Sequence, residues 1–549
     1  MYGSEAERER LTGYYDFIHD YFPILPPRVS SSRYQPLHGP MPYSGSPSQE
    51  PLMEYRPRSP LSLAISSVLA LVTHPSDPEP SSTASTIRSR TYAHTSAQAA
   101  NSAIETECDL DLSSIDPGQV LSTAQPFVAR ERFHHRTPVD LESLLALLVL
   151  SVYEYSQRGN MIKMRSRAGQ ALEIALEKSL HVQRGNDEFS EARRRAWWMT
   201  YYCVTQGSIV RTTPPAIVIN NPQFTTPYPS FSSDSEGWHI LIPSQQVLVS
   251  ATQFIANLNK SSPSQSSLQN MFEQMRGLDA WTDSLLAQAD SPPIFLKEPE
   301  FGHQETTTAQ SIRAIAQIKI SSAKIKTHRF RAFSDIPIFI KRHCDLTAAN
   351  PSTPTPNSSS TGINTLTCSC SKMEPPEQAP SCEYSTPPNS IAFNIQPTTP
   401  EDHPQYLISP QSPYSTQDST KTCLHAALEI SRMFESLPIP QPLDSQQQRI
   451  HPRRPLPRTM PPFACCLMQS SYVLFMIFYN TRVVKQLFPQ SEGEHTGALT
   501  DTLMEQLRQG LQRIIATVSN YSLAFEALDG MRDLFVLFAH VHPVDILFD

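Results

Sequence analysis

The sequence predicts an all-α protein, a multi-helix core interrupted by long disordered insertions rich in Pro, Ser and Thr. Apolar residues recur at helical spacing in several segments, and no segment shows the sustained alternation of a strand. The 549 residues include 50 Pro but only 17 Gly. Few glycines disfavour the tight turns of all-β folds, whereas clustered prolines separate helical blocks. The chain is long enough to bury a large core.

The first block, residues 1–27, is predicted to hold a short N-terminal aromatic helix. Its aromatic and apolar residues cluster before the first prolines, at Tyr14, Tyr15, Phe17, Ile18, Tyr21 and Phe22. Pro23 lacks a backbone N–H, so we expect the helix to end there. Residues 28–59 follow as a Pro-rich connector.

Residues 60–345 are predicted to form the main helical core. Pro60 opens a compact apolar run and suits the first turn of a helix, and a further helix is predicted near Thr91–Glu105. The segment after Pro138 is apolar nearly all round, so we expect its helix to lie at the centre of the core. Helical spacing predicts four more helices, over Asn160–Leu180, Glu191–Gly207, Leu268–Leu286 and Thr307–Phe333.

Residues 346–420 are predicted to be a disordered insertion. Residues 351–420 contain 36 Ser, Thr or Pro, a composition that buries too little apolar surface to offset chain entropy. Residues 421–549 are expected to complete the core with helices over Thr422–Glu435, Phe463–Lys485 and Leu503–Val518. The uncharged stretch from residue 459 to 481 is long enough for a bilayer, but its prolines and central polar residues favour a buried core helix.

Charge and cysteine usage narrow the classes of function. The formal net charge is −8, the wrong sign for a chain that grips nucleic acid along its whole surface. Nine cysteines are spread over the chain, and an odd, scattered set indicates reduced thiols inside the cell rather than a disulfide framework. The charged N-terminus lacks the apolar region of a secretory signal.

Catalytic and metal-binding motifs are scarce. The chain lacks the Gly-x-Ser-x-Gly, His-Glu-x-x-His and Gly-x-Gly-x-x-Gly signatures, so we expect no enzyme activity and assign no catalytic, cofactor or metal residue. Cys368, Cys370 and Cys382 have no partnering His pair and are interpreted as incidental loop thiols. Cys465 and Cys466 lie in an apolar segment and are interpreted as small core residues.

Three basic clusters are interpreted as structural or as weakly specific. The Arg193–Arg195 triplet fans across a wide arc of its helix, so it cannot form one nucleic-acid-binding stripe beside Trp197 and Trp198. The lysines and arginines between residues 319 and 342 are expected to form a solvated helix face. A third cluster is a weak candidate for nuclear import or partner binding: Arg453, Arg454 and Arg458.

Several of these blocks together resemble a known family. The relevant blocks are residues 14–25, with Phe-Pro-Ile-Leu at their end, the Ser-Pro-Leu segment 59–70, the segment 141–181, and the run EARRRAWW from Glu191 to Trp198 with Tyr201. Their order and content are similar to the middle regulatory domain of fungal zinc binuclear cluster transcription factors. This fungal-specific transcription factor domain is related to the xylanolytic activator regulatory domain.

The sequence departs from that family pattern at two places. Residues 210–215 read Val-Arg-Thr-Thr-Pro-Pro where the family commonly carries Gly-Arg-Pro. The six closely spaced cysteines of the family's zinc cluster are missing, since the first cysteine is Cys108. Because the chain begins shortly before the first matching block, we expect a truncated gene model rather than a natural loss of the cluster.

The resemblance implies a nuclear transcription regulator of the fungal zinc-cluster type. This chain is then its regulatory portion, which binds effectors or partners and controls RNA polymerase II transcription. Zinc belongs to the missing cluster, so no cofactor is expected here. The expected partners are other transcription factors or coactivators, a small-molecule inducer and a second copy of the chain. No membrane is expected, and DNA is reached only through the missing module or a partner.

Two other interpretations stay open. One is a stand-alone helical ligand- or protein-binding module that acts without DNA contact. The other is a helical enzyme, which needs convergent ionisable groups; Glu154 and Arg158 are better explained as a helix ion pair. For the regulatory interpretation, the candidate effector pocket or regulatory loop comprises Trp197, Trp198, Tyr201, Arg211, Pro214 and Pro215.

Overall fold

The structure is a computed structural model, and it describes residues 2–28, 59–72, 77, 79, 82–113, 130–258, 265–292, 302–334, 412–440, 456–487 and 494–541. In this described part, 13 α-helices and two short 3-10 helices form, and no strand is present. The all-α fold class is therefore confirmed. The 28–59 connector, apart from its two end residues, and the insertion up to residue 411 lie outside the described residues.

The helices of the first half end with a long buried helix that the sequence analysis missed. They are α1 (Tyr2–Phe17), α2 (Pro60–Leu69), α3 (Thr83–Ser113), α4 (Glu142–Ser156), α5 (Met161–Glu177), α6 (Ser190–Arg211) and α7 (Gly237–Leu258). The helices of the second half are α8 (Gln265–Asp290), α9 (Gly302–Ala332), α10 (Thr416–Ser436), α11 (Cys465–Leu487), α12 (Glu494–Ser522) and α13 (Glu526–Val541).

Two predicted helices form for the reasons that the sequence suggested. Pro60 is the first residue of α2, and the Ser59 side chain caps the helix by accepting from the Ser62 N–H at 3.2 Å. Every residue of α4 is buried, as its continuous apolar character predicted. Helix α4 packs against α2, α3, α5 and α6, so it lies at the centre of the first half of the fold.

Three elements differ from the prediction. Helix α7 was not predicted because Pro243 lies inside it, and an internal proline removes one backbone hydrogen bond. Helix α3 is much longer than predicted; Ala93, Ala97 and Ala100 form a small buried stripe on it, and α3 packs against α2. Helix α10 begins at Thr416 rather than Thr422, behind an N-cap at Ser415.

One hydrophobic core joins the two halves. It runs from Tyr14 to Met531, and α9 is its central element in the second half, in contact with α7, α8, α10 and α11. The N-terminal block reaches the C-terminal block directly, because Tyr21 Oη donates to Pro438 O and Thr459 Oγ1 donates to Phe17 O. Among the described helices, none is long and apolar enough to cross a membrane.

Candidate functional site

Three of the predicted site residues are core aromatics on α6. Trp197 and Tyr201 are fully buried, and Trp198 is nearly so. The Trp198 Nε1 group donates to Thr226 O at 3.2 Å, which satisfies the polar end of the indole. All three rings contact one another or Phe224 edge to face. The cluster anchors the irregular segment that follows α6 onto the helix.

The other three predicted site residues lie at the far end of α6. Pro214 is exposed, and Arg211 and Pro215 are half-buried. At a rise of about 1.5 Å per residue, Trp197 and Arg211 are roughly 20 Å apart along the helix axis. The structure therefore brings the three aromatic residues together and places the loop residues at a separate surface position.

The arginine triplet does not form a basic face. Arg193 points outward and pairs with Asp187, with an Nη1 to Oδ2 distance of 2.7 Å. Arg194 is half-buried, whereas Arg195 is fully buried. The three side chains thus have different environments, as expected for a structural role.

Arg195 fastens the N-terminal block to α6. Its Nη1 group donates to Pro23 O at 3.3 Å and to Leu25 O at 3.1 Å, and its Nε group pairs with Glu191 at 2.7 Å. The guanidinium also lies over two aromatic rings, 5.4 Å from the centroid of Phe231 and 5.6 Å from that of Trp238. We refer to Arg195, Glu191 and the carbonyls of Pro23 and Leu25 as the Arg195 clasp.

Tyr14 extends the network around the clasp. Its hydroxyl donates to Phe22 O at 3.2 Å and accepts from the Leu25 N–H at 3.1 Å. Burial raises the pKa of Tyr14 well above its usual value, and burial lowers the pKa of the neighbouring His19. These groups are neutral and hydrogen-bonded inside the core, which makes the network structural.

The basic residues of α9 contradict the predicted solvated face. Lys319 is fully buried, Lys326 and Arg329 are each 2% exposed, and Lys324 and Arg331 are half-buried. The other two members of the predicted face, Lys341 and Arg342, lie outside the described residues. Helix α9 has neighbours on several sides, so little of its surface is left for water. Because the cations of α9 lie between small apolar residues, hydrophobic periodicity in the sequence did not indicate that they are buried.

Lys319 lies in a polar centre between α6, α7, α9 and α11. Its Nζ group donates to Gln206 Oε1 at 3.0 Å and sits 4.5 Å above the ring centroid of Tyr202. The Gln206 Nε2 group donates to Cys465 Sγ at 3.8 Å. We call Lys319, Gln206, Cys203, Cys465 and Cys466 the lysine–cysteine centre.

Burial and charge shift the ionisation of this centre. Burial lowers the pKa of Lys319 to about 8, although the nearby thiols oppose the effect. A hydrogen bond from Cys466, together with the positive charges of Lys326 and Lys319, holds the pKa of Cys465 below its usual value. Burial raises the pKa of Cys203. The centre thus favours the thiolate form at one of its three sulfurs.

The comparison with known families assigns the first half of the chain to one of them. The family model of the fungal specific transcription factor domain matches residues 11–276. Residues 11–276 are a fungal-specific transcription factor domain. No curated protein and no solved structure matches the chain.

The Arg195 clasp and the lysine–cysteine centre lie differently with respect to the fungal-specific transcription factor domain. The Arg195 clasp lies wholly within it, and so do Cys203 and Gln206 of the lysine–cysteine centre. Lys319, Cys465 and Cys466 come from later helices that share the same core. The second centre therefore joins the fungal-specific transcription factor domain to the rest of the chain.

A further buried cluster ties α10 onto α8 and α9, outside the fungal-specific transcription factor domain. Asp279 contacts His328 Nε2 at 3.0 Å, Lys324 Nζ at 3.2 Å and Tyr414 Oη at 2.8 Å. His328 Nδ1 lies 3.2 Å from Ser419 Oγ.

The cluster has the connectivity of a hydrolytic triad, but Ser419 has no exposed surface. Burial opposes ionisation of Asp279, yet its hydrogen bond with His328 holds the pKa of the carboxyl below its usual value. The hydrogen-bonded Ser–His–Asp chain is therefore a structural contact inside the core rather than a site that a substrate can reach.

Two other sequence interpretations can be compared with the structure. Arg458, a member of the proposed import or partner patch, is buried and donates to Leu437 O at 2.8 Å. It stabilises the chain after α10, so the patch interpretation is wrong for this residue; Arg453 and Arg454 lie outside the described residues. Glu154 and Arg158 form the expected helix ion pair at 3.7 Å.

The described residues were predicted to hold no metal ligand, and this stays a prediction. They contain no group of three or more His, Cys, Asp or Glu side chains arranged to hold a metal ion. Cys368, Cys370 and Cys382 lie outside the described residues, and their interpretation as loop thiols stays a prediction.

Proposed function

We propose that this chain is the regulatory portion of a nuclear transcription regulator of the fungal zinc-cluster type, which controls RNA polymerase II transcription. The observation that carries the proposal is the match of residues 11–276 to the fungal-specific transcription factor domain. That family is a family of transcription-factor regulatory domains and not of enzymes. We therefore propose a binding and signalling role without catalysis.

DNA contact is assigned to a module outside this sequence or to a partner protein. The sequence holds nine cysteines, and none of its stretches carries six of them at zinc-cluster spacing. The net charge of −8 also disfavours broad contact with phosphates. No cofactor is proposed for this chain, since zinc belongs to the absent cluster.

The regulatory partners are proposed to act at the surface rather than inside the aromatic cluster. Trp197 and Tyr201 are fully buried, whereas Pro214 is exposed and lies in the loop that joins α6 to α7. We therefore place the regulatory loop at Arg211, Pro214 and Pro215. Its proposed partners are coactivators, other transcription factors or a second copy of the chain, and a small-molecule inducer shifts the packing of the helices.

The experiment that tests this function is to map the 5′ end of the transcript and translate any upstream exon. An in-frame segment with six cysteines at zinc-cluster spacing supports a DNA-binding regulator. A confirmed start at Met1 contradicts direct DNA contact and favours a stand-alone helical module that regulates through partners. A fluorescent fusion of the full chain provides an independent control, because the proposal requires nuclear accumulation.

A further inference from the structure

Among the described residues, no carboxylate balances the positive charge of Lys319. The side chain is fully buried, and its hydrogen-bond acceptor is the neutral oxygen of Gln206 at 3.0 Å. Among the described residues, no Asp or Glu forms an ion pair with Lys319. A buried ammonium group without a nearby anion is strongly destabilising.

Cys465 is placed to supply the missing negative charge. Helix α11 begins at Cys465, and the N-terminal end of a helix favours a thiolate. The Gln206 amide joins the two groups, since its oxygen accepts from Lys319 while its nitrogen donates to Cys465 Sγ at 3.8 Å. Three features therefore stabilise the anion: a helix end, an amide donor and a buried ammonium group.

We propose that Cys465 is a thiolate that acts as the counter-ion of Lys319 and is a modification site for small carbon electrophiles. This inference is independent of the proposed function. Cys465 is 5% exposed, whereas Cys466 has no exposed surface. Of the two buried cysteines, Cys465 is therefore the more accessible to a small reagent.

The ionisation of Cys465 depends on titratable groups of helices α6, α9 and α11. The titratable groups that face the centre are Lys319 and Lys326 on α9, Tyr202 and Cys203 on α6, and Cys466 beside it on α11. Burial raises the pKa of Tyr202 and of Cys203, so both stay neutral. A hydrogen bond joins Cys465 and Cys466, and the position of Cys465 at the N-terminal end of α11 with the Gln206 amide as donor assigns the charge to Cys465.

The proposed modification needs only the thiolate and the electrophile. The lone pair of the thiolate forms a sulfur–carbon bond at the electrophilic carbon. With iodoacetamide, the carbon–iodine bond breaks and iodide leaves with the bonding pair. The product is a neutral thioether, so the modification removes the counter-ion and leaves Lys319 buried as an uncompensated cation. Alkylation should therefore loosen the packing of α11 against α6 and α9.

Cys423 provides a matched internal control. It is fully buried on α10 and lies close to a cation, Arg329. Burial nevertheless raises the pKa of the Cys423 thiol. Cys423 lies inside its helix rather than at the N-terminal end. Because Cys465 is slightly more exposed than Cys423, the dependence of its reaction on Lys319 and on pH, rather than a faster rate alone, assigns the charge.

The first test is limited alkylation of the reduced full-length protein with iodoacetamide near pH 6.5, followed by peptide mass mapping. We expect Cys465 to react at least about tenfold faster than Cys423, because each unit of pKa changes the thiolate fraction about tenfold. The Lys319→Met variant should slow the reaction of Cys465 near pH 6.5 and much less near pH 9. Equal rates at Cys465 and Cys423, or a Lys319→Met profile identical to wild type, overturn the proposal.

A second measurement keeps the test valid if Lys319→Met fails to fold or if the reagent cannot enter. The ultraviolet absorbance of thiolate is followed from about pH 5 to pH 8 in the wild type and in Cys465→Ser. The wild type should show a thiolate step below the pH at which an ordinary thiol ionises, and the variant should lack it. Identical titrations overturn the counter-ion assignment, and a lost step without alkylation overturns the modification site.

Discussion

Arg195 and Lys319 are both fully buried cations, yet their surroundings differ in kind. Arg195 donates to two backbone carbonyls, pairs with Glu191 and lies over two aromatic rings. Lys319 has one neutral amide oxygen, one aromatic ring and a group of thiols. The first environment consists of backbone carbonyls, a carboxylate and aromatic rings, and the second contains a lysine and thiols whose pKa values are shifted by burial and by neighbouring charges.

The two buried cations therefore differ in role. The Arg195 clasp is a structural contact, whereas the lysine–cysteine centre contains groups that can change their charge. Backbone carbonyls hold the Arg195 clasp in one state, so it serves to dock the N-terminal block. The lysine–cysteine centre has alternative protonation states, and it joins helices of the fungal-specific transcription factor domain to helices that follow it.

The largest effect is expected at the clasp. Arg195→Met removes both carbonyl contacts and leaves Glu191 without its partner, so we expect a loss of about 3–5 kcal/mol in the free energy of unfolding. Urea denaturation followed by circular dichroism measures it. Arg193→Met is the matched control, since Arg193 makes a surface pair, and its transition should stay close to wild type. Equal midpoints for the two variants contradict a docking role for Arg195.

A smaller effect, with a defined pH dependence, is expected at Lys319. Burial lowers its pKa from 10.5 to about 8, so the unfolded chain holds the proton more tightly than the native protein. Relative to Lys319→Met, the wild type should gain stability as pH rises from about 8 to 10.5, on the order of 2–3 kcal/mol. Denaturation midpoints of both proteins across this range measure the gain. A constant difference between them argues against a buried, titrating lysine.

The Asp279 cluster should give an intermediate result at neutral pH. Tyr414→Phe removes one hydrogen bond to the carboxylate, while His328 and Lys324 keep their contacts. We expect a loss of about 1–2 kcal/mol, and local loosening of α10 that hydrogen exchange can detect. Protection of the α10 amides that matches wild type contradicts the role of this cluster as a fastening.

The smallest effect is expected in the loop after α6. Pro214 is exposed, so Pro214→Ala should change the free energy of unfolding by no more than about 0.5 kcal/mol. If the loop binds a regulatory partner, the same variant should weaken partner capture while the fold stays intact. A large loss of stability instead assigns the loop to the core.

The sequence predicted those parts of the fold that depend on local patterns. Ser59 and Pro60 form a recognisable helix start, and the continuous apolar run of α4 marks a buried helix. Helix α7 contains Pro243, a residue that disfavours a helix interior, and it packs against α6, α8 and α9. Local propensity was overridden there by tertiary contacts.

The polar centres depend on contacts between distant residues, and this limits prediction. The predicted site combined the buried aromatic residues of α6 with Arg211, although roughly 20 Å of helix separates Trp197 from Arg211. Lys319 contacts Gln206 and lies near Cys465, residues more than a hundred positions away in either direction. A signal was present in α9, because cations at 319, 326 and 329 recur at helical spacing.

The central claim is that this chain is the regulatory portion of a transcription regulator, and that its core depends on the docking of the N-terminal block by Arg195. The most direct test fuses the full chain to an unrelated DNA-binding domain upstream of a reporter gene. The account predicts that the fusion changes reporter transcription, that Arg193→Met preserves the change and that Arg195→Met abolishes it. Reporter transcription equal to that of the DNA-binding domain alone would contradict the account.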